Sequence, residues 1–143
     1  MCGALAEKVR GIEAECVVSP ALGGIIVGHE IARALGKPHI FVEKDDAGRL
    51  VLRRGFKIGA GQRFIVAEDV VTRGGRVQET IDIVRAHGGI VAAVATRVDR
   101  SGGNLPDFGC PFVSLTQLEV ETFEAGQLPP DLVGTPAVKP GSK

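Results

Sequence analysis

Four apolar residues in a row, Phe64, Ile65, Val66 and Ala67, stop abruptly at two acids, Glu68 and Asp69. A short apolar run that halts at a turn signal predicts a strand covered on both faces, as in a parallel sheet. A helix is predicted next, over about residues 75–87. There Val77, Ile81 and Val84 recur at i, i+4 and i+7, opposite a polar face of Glu79, Asp82 and Arg85. The same strand–turn–helix unit occurs earlier in the chain. A strand over 15–19 runs into a Pro/Gly turn, and a helix over 25–35 is stopped by Gly36 and Pro38. An amphipathic helix within residues 1–14, carrying Leu5 and Val9, precedes that unit. Segments 39–43, 90–95 and 109–115 read as further strands. The prediction is an α/β fold in one domain spanning 1–143: a parallel sheet of about five strands with helices on both faces.

Composition narrows the function classes. Seventeen basic residues balance seventeen acidic ones, so no net field favours nucleic acid or an anionic membrane. No apolar run reaches the ~20 residues of a membrane span, and residues 1–10 lack a signal-peptide core. Cys2, Cys16 and Cys110 have neither the count nor the spacing of a disulfide framework or zinc site, which fits packing thiols in a reducing cytoplasm. A dinucleotide fold would show Gly-x-Gly-x-x-Gly after its first strand, and the chain has none. His29, His39 and His87 read as surface or helix-end residues.

The chemistry gathers at the strand ends. In open parallel sheets ligands bind beyond the carboxyl ends of the strands, where Glu68 and Asp69 fall. The turn after them, Thr72, Arg73, Gly74, Gly75 and Arg76, opens the helix, whose free N–H groups and dipole favour an anion. Two carboxylates beside an anion cradle suit a molecule with both hydroxyls and a phosphate, such as a ribose 5-phosphate. The earlier turn, Ala21, Leu22, Gly23 and Gly24, can offer N–H groups to a second anion.

The thirteen residues from Phe64 to Arg76 resemble the phosphoribosyl pyrophosphate (PRPP) signature of type I phosphoribosyltransferases. The resemblance implies a Rossmann-like core and PRPP bound along Glu68, Asp69, Val70, Val71, Thr72, Arg73, Gly74, Gly75 and Arg76. The acids would hold the ribose hydroxyls and the Thr-x-Gly-Gly turn the 5-phosphate. Arg76 stands where relatives often carry Ser or Thr. Ala21, Leu22, Gly23 and Gly24 match the pyrophosphate loop, with a cis peptide between Ala21 and Leu22. Mg²⁺ would arrive with PRPP, with no direct protein ligand.

Residues 44–57, with Lys44, Arg49, Arg53, Arg54 and Lys57, read either as a solvated hairpin or as a mobile lid whose cations neutralise a leaving pyrophosphate. A second strand over 49–56 would complete that ribbon. The stretch resembles the catalytic loop of a bacterial orotate phosphoribosyltransferase branch, which adds Lys44, Arg53 and Arg54 to Asp69 as candidate catalytic residues. The Asp-Arg-Ser-Gly-Gly string at 99–103 resembles that branch's orotate loop and assigns the orotate carboxylate to Arg100, with Thr72 beside it. The function implied is transfer of ribose 5-phosphate from PRPP to orotate in pyrimidine biosynthesis, by a cytoplasmic homodimer that binds neither nucleic acid nor membrane. The alternatives are a purine phosphoribosyltransferase, which would want an aromatic base-stacking residue in place of Arg100, and a non-catalytic PRPP- or nucleotide-sensing regulator. Relatives carry an N-terminal hood over the base, expected to be missing before Met1. An irregular tail is expected over 119–143, where the branch's Cys-Pro-x-Cys pair is replaced by Leu128, Pro129, Pro130 and Asp131.

Overall fold

The computed structural model describes residues 2–121, 123, 126–136 and 138. In chain order the elements are α1 (Cys2–Val9), β1 (Cys16–Pro20), α2 (Gly23–Leu35), β2 (His39–Lys44), β3 (Leu50–Leu52), β4 (Arg63–Val71), α3 (Gly75–Ala86), β5 (Ile90–Asp99) and β6 (Phe112–Gln117). They form one sheet of order β3-β2-β1-β4-β5-β6. All neighbours are parallel except β2 and β3, which are antiparallel. The sheet therefore has five parallel strands plus one short antiparallel edge strand.

The apolar run in β4 divides by period 2 between two cores. Phe64 and Val66 join Val77, Ile81 and Val84 of α3 on one face. Ile65 and Ala67 join Leu5 and Val9 of α1 and Val27 and Ile31 of α2 on the other. Burial on both faces is why the run shows no alternation in sequence.

Connections on the two faces set the site. From β1 the chain crosses through α2 to β2 on one side, and from β4 through α3 to β5 on the other. β1 and β4 are neighbours whose crossovers diverge, and a crevice opens at the carboxyl ends of such a pair.

Several boundaries differ from the sequence expectation. α2 begins at Gly23, so Gly23 and Gly24 form its first turn instead of a preceding loop. The second ribbon strand is only Leu50–Leu52: the chain leaves the pairing at Arg53, and Arg54 and Gly55 take positive φ values of 58° and 73°. β5 runs on to Asp99 because its polar residues Thr96 and Asp99 are buried and satisfied locally. Thr96 Oγ1 donates to the Val98 carbonyl at 3.3 Å, and Asp99 Oδ1 accepts from the Ser101 amide at 2.9 Å. Among the described residues after Gln117 there is no further helix or strand, and the rest of the expected 119–143 tail lies outside them.

Candidate active site

A cleft of about 720 Å³ opens at the divergent crossover. One wall is the end of β1 and its turn, with Ala21 and Gly23. The floor is Glu68 and Asp69, and the far wall is Thr72 to Arg76 at the start of α3. Lys44 and Gly48 reach it from the ribbon.

The two helices that begin here are unfinished. α3 starts behind Gly74, at φ 75°, and α2 behind Leu22; neither has a side-chain cap, and neither has an acidic residue in its first turn. Their first amides have no helical acceptor, and the dipoles put positive potential at the cleft. The Ala21–Leu22 peptide is cis. Gly74 is glycine for two reasons: its φ is left-handed, and a Cβ there would lie 2.9 Å from Phe108.

The acid pair is asymmetric. Glu68 is buried at 7% exposure, and its Oε1 accepts from the Asp69 amide at 2.9 Å. Burial pushes its carboxyl up to about 8, against the pull of that amide, which favours the protonated form. Asp69 is half-buried, and its Oδ1 accepts from the Val70 amide at 2.7 Å. Both carboxyls rest on α2's first turn. A Cβ on Gly24 would lie 3.0 Å from Glu68 Oε1, and one on Gly23 would lie 2.7 Å from Asp69 Cγ. A signal for these contacts was present in the doubled glycine, although sequence reasoning gave it only to an anion.

The ribbon cations separate. Lys44 lines the cleft. Arg54 instead pairs with Glu43 at 2.8 Å and stands over Phe41, 5.9 Å from the ring centroid. Arg53 is exposed and lies outside the cleft. Arg76 lines the cleft, and its guanidinium donates to Glu79 at 2.6 Å and to the Gly48 carbonyl at 3.4 Å. Glu79, read from sequence as part of a solvated face, therefore belongs to the cleft rim; its i,i+3 spacing from Arg76 was the available clue.

Of the other predicted residues, Leu22 is 83% exposed and does not line the cleft, and Gly24 is buried behind Glu68. Arg100 lines a neighbouring cleft of about 300 Å³ together with Asn104, Glu119 and Glu121. Its backbone is tied to the signature, the Arg100 amide donating to the Val71 carbonyl at 2.8 Å. His39 departs from the surface reading: it is half-buried and shares a 2.8 Å hydrogen bond with Ser19.

Residues 3–131 match the phosphoribosyl transferase domain family. The chain is also 48% identical over 139 residues to the orotate phosphoribosyltransferase of Caldanaerobacter subterraneus subsp. tengcongensis, a match covering 97% of this chain and 72% of that one. It belongs to the orotate phosphoribosyltransferase family. The chain spans between 65% and 75% of the length of the curated members it matches. Among solved structures, the orotate phosphoribosyltransferase of Mycobacterium tuberculosis is 30% identical with a TM-score of 0.69, covering 82% of this chain and 71% of that one. The adenine phosphoribosyltransferase of Thermoanaerobacter pseudethanolicus reaches a TM-score of 0.72 at 20% identity, over 82% of this chain and 77% of that one, and shares the type I fold.

Proposed function

We propose that this protein transfers the 5-phosphoribosyl group of PRPP to orotate, releasing pyrophosphate and forming orotidine 5-monophosphate. The observation that carries the reading is the meeting of the acid pair and two uncapped helix N-termini in one 720 Å³ cleft. A sugar with two anionic groups and free hydroxyls matches that arrangement: α3's first turn takes the 5-phosphate, α2's turn the pyrophosphate, and Asp69 the ribose hydroxyls. Glu68, buried and with its carboxyl raised, can in its protonated form donate a hydrogen bond as well as accept one.

In the reaction the bond from the ribose C1 to pyrophosphate oxygen breaks, a bond from C1 to the pyrimidine nitrogen forms, and the proton of that nitrogen leaves to the released pyrophosphate or to water. Positive charge develops on the ribose and negative charge on the leaving group, so fixed donors and cations do the work. Lys44 is the ribbon cation we assign to the leaving group, because it lines the cleft whereas Arg54 is held by Glu43. Arg100 is assigned to the orotate carboxylate, which a guanidinium fork binds at two points. Its amide tie to Val71 anchors that loop to the PRPP segment.

Mg²⁺ is the implied cofactor. Among the described residues no three His, Cys, Asp or Glu side chains form a cage. The donor set of one or two carboxylates beside a phosphate site fits a hydrated ion carried by the substrate. Bound there, the ion would neutralise charge on the pyrophosphate, and Asp69 with Glu68 would orient the hydroxyls or waters around it.

A homodimer is proposed as the working assembly, supported by Leu22 and Ile26, one helical turn apart and 83% and 73% exposed. Among the described residues no helix is long and apolar enough to cross a membrane. The balance of seventeen basic and seventeen acidic residues supports a protein without a nucleic-acid partner, and the small-molecule substrates support action in the cytoplasm. Calorimetric titration of Mg²⁺ and PRPP, followed by an assay of orotate consumption, tests the reading. Absence of PRPP binding by the wild-type chain would overturn it.

A further inference from the structure

Ser19 is the penultimate residue of β1 and is fully buried. It is polar in an otherwise apolar strand, and such a group needs a partner. Its hydroxyl shares a 2.8 Å hydrogen bond with Nε2 of His39, on β2. Burial, with a smaller push from His29, lowers the His39 ring to about 4, so this is a bond between neutral groups at pH 7. α2 crosses directly over the pair at Gly28: a Cβ there would lie 2.5 Å from His39 Nε2 and 2.9 Å from Ser19 Oγ. One hydrogen bond thus fixes two strands and the depth at which the helix rides on them.

That depth matters at the other end of the helix. Gly23 and Gly24, in α2's first turn, touch Asp69 and Glu68. The turn from Pro20 to Gly23 is tethered on its other side by the Ala21 amide, which donates to the Val42 carbonyl of β2 at 2.7 Å. β2 is therefore the common support of the turn and of His39.

We propose that Ser19 and His39 are positioning residues that set the pyrophosphate turn against the acid pair, through Gly28. The proposal rests on the reading of the cleft as a PRPP site. Neither residue contacts the cleft; both act through the seat of α2.

The test uses the full chain, with Mg²⁺ and PRPP titrated by calorimetry into wild type, Ser19→Ala, His39→Phe, Ser19→Ala with His39→Phe, and His39→Gln. Each single loss variant should weaken binding about fivefold, the effect of one neutral hydrogen bond. The double variant should be no weaker than either single, because both break the same bond. His39→Gln, whose amide can reach the Ser19 hydroxyl, should stay within about twofold of wild type. Single variants that bind within twofold of wild type, or a double variant weakened multiplicatively, would overturn the proposal. Should a single variant unfold, His39→Gln decides: wild-type affinity upholds the pair and a fivefold loss removes it. If the wild-type chain does not bind PRPP, the reading of the cleft fails. The pair is then judged by hydrogen exchange of amides 23–27, faster in Ser19→Ala if it seats α2 and unchanged if it does not.

Discussion

Gly23 lies so close to Asp69 that a Cβ atom on it would come within 2.7 Å of the carboxyl carbon. The neighbour is the far end of a side chain and not backbone, so Gly23→Ala should fold normally but turn Asp69 aside. We expect PRPP binding weakened at least tenfold, about 1.4 kcal/mol, with the melting temperature nearly unchanged. Gly24→Ala meets the Ala67 carbonyl and Pro20 Cδ, both at 3.2 Å, and should lower the melting temperature as well. Calorimetry and thermal melting on the two variants separate these outcomes.

Glu68 offers a test by pH. Its carboxyl is raised from 4.5 to about 8, so between those values the folded chain holds a proton that the unfolded chain has released. The stability from this group is present at acid pH and is lost as pH rises through about 8. Glu68→Gln should remove that slope. From about pH 6 to about pH 9 wild type should lose on the order of 2 kcal/mol that the glutamine variant keeps, read from denaturant unfolding. Adding Asp69→Asn should then abolish PRPP affinity without unfolding the chain.

Lys44 and Arg54 are both cations of the ribbon, but only Lys44 lines the cleft. Lys44→Ala is expected to reduce kcat on the order of 10²-fold, the size of one lost charge-stabilising group. Arg54→Ala should reduce it far less and instead loosen the ribbon through loss of Glu43 and Phe41. Steady-state kinetics of the two variants provide the comparison; equal losses would contradict the assignment.

Arg100→Ala should raise KM for orotate by one to two orders of magnitude, as loss of a charge-assisted contact of ~1.5–3 kcal/mol implies. PRPP binding should stay near wild type. A parallel change in both substrates would place Arg100 in the structure of the loop instead.

How much of this was legible depended on whether a residue's role is local. Phe64 to Ala67 announced a two-faced strand because burial on both sides leaves no polar gap. The acids and the Thr72–Arg76 turn announced a strand-to-helix junction; the acids themselves lie inside β4, which runs on to Val71, so their polarity marked the strand's end three residues early. The start of α2 was read two residues late, since glycines at an uncapped helix end carry no helix signal. The extent of β5 was hidden by Thr96 and Asp99, whose polarity says loop until their local hydrogen bonds are seen. The Ser19–His39 bond joins residues twenty apart, and no periodicity reports it.

The two unfinished helices have a consequence for when the fold is complete. Lacking side-chain caps, α2 and α3 leave their first amides for whatever occupies the cleft. On the proposed reading, a ligand with an anionic group at each end would do more than bind: it would supply the caps that the chain omits, on both sides of the sheet at once. Substrate and architecture would in that sense be continuous, and release of the two products would return both helices to the uncapped state seen here.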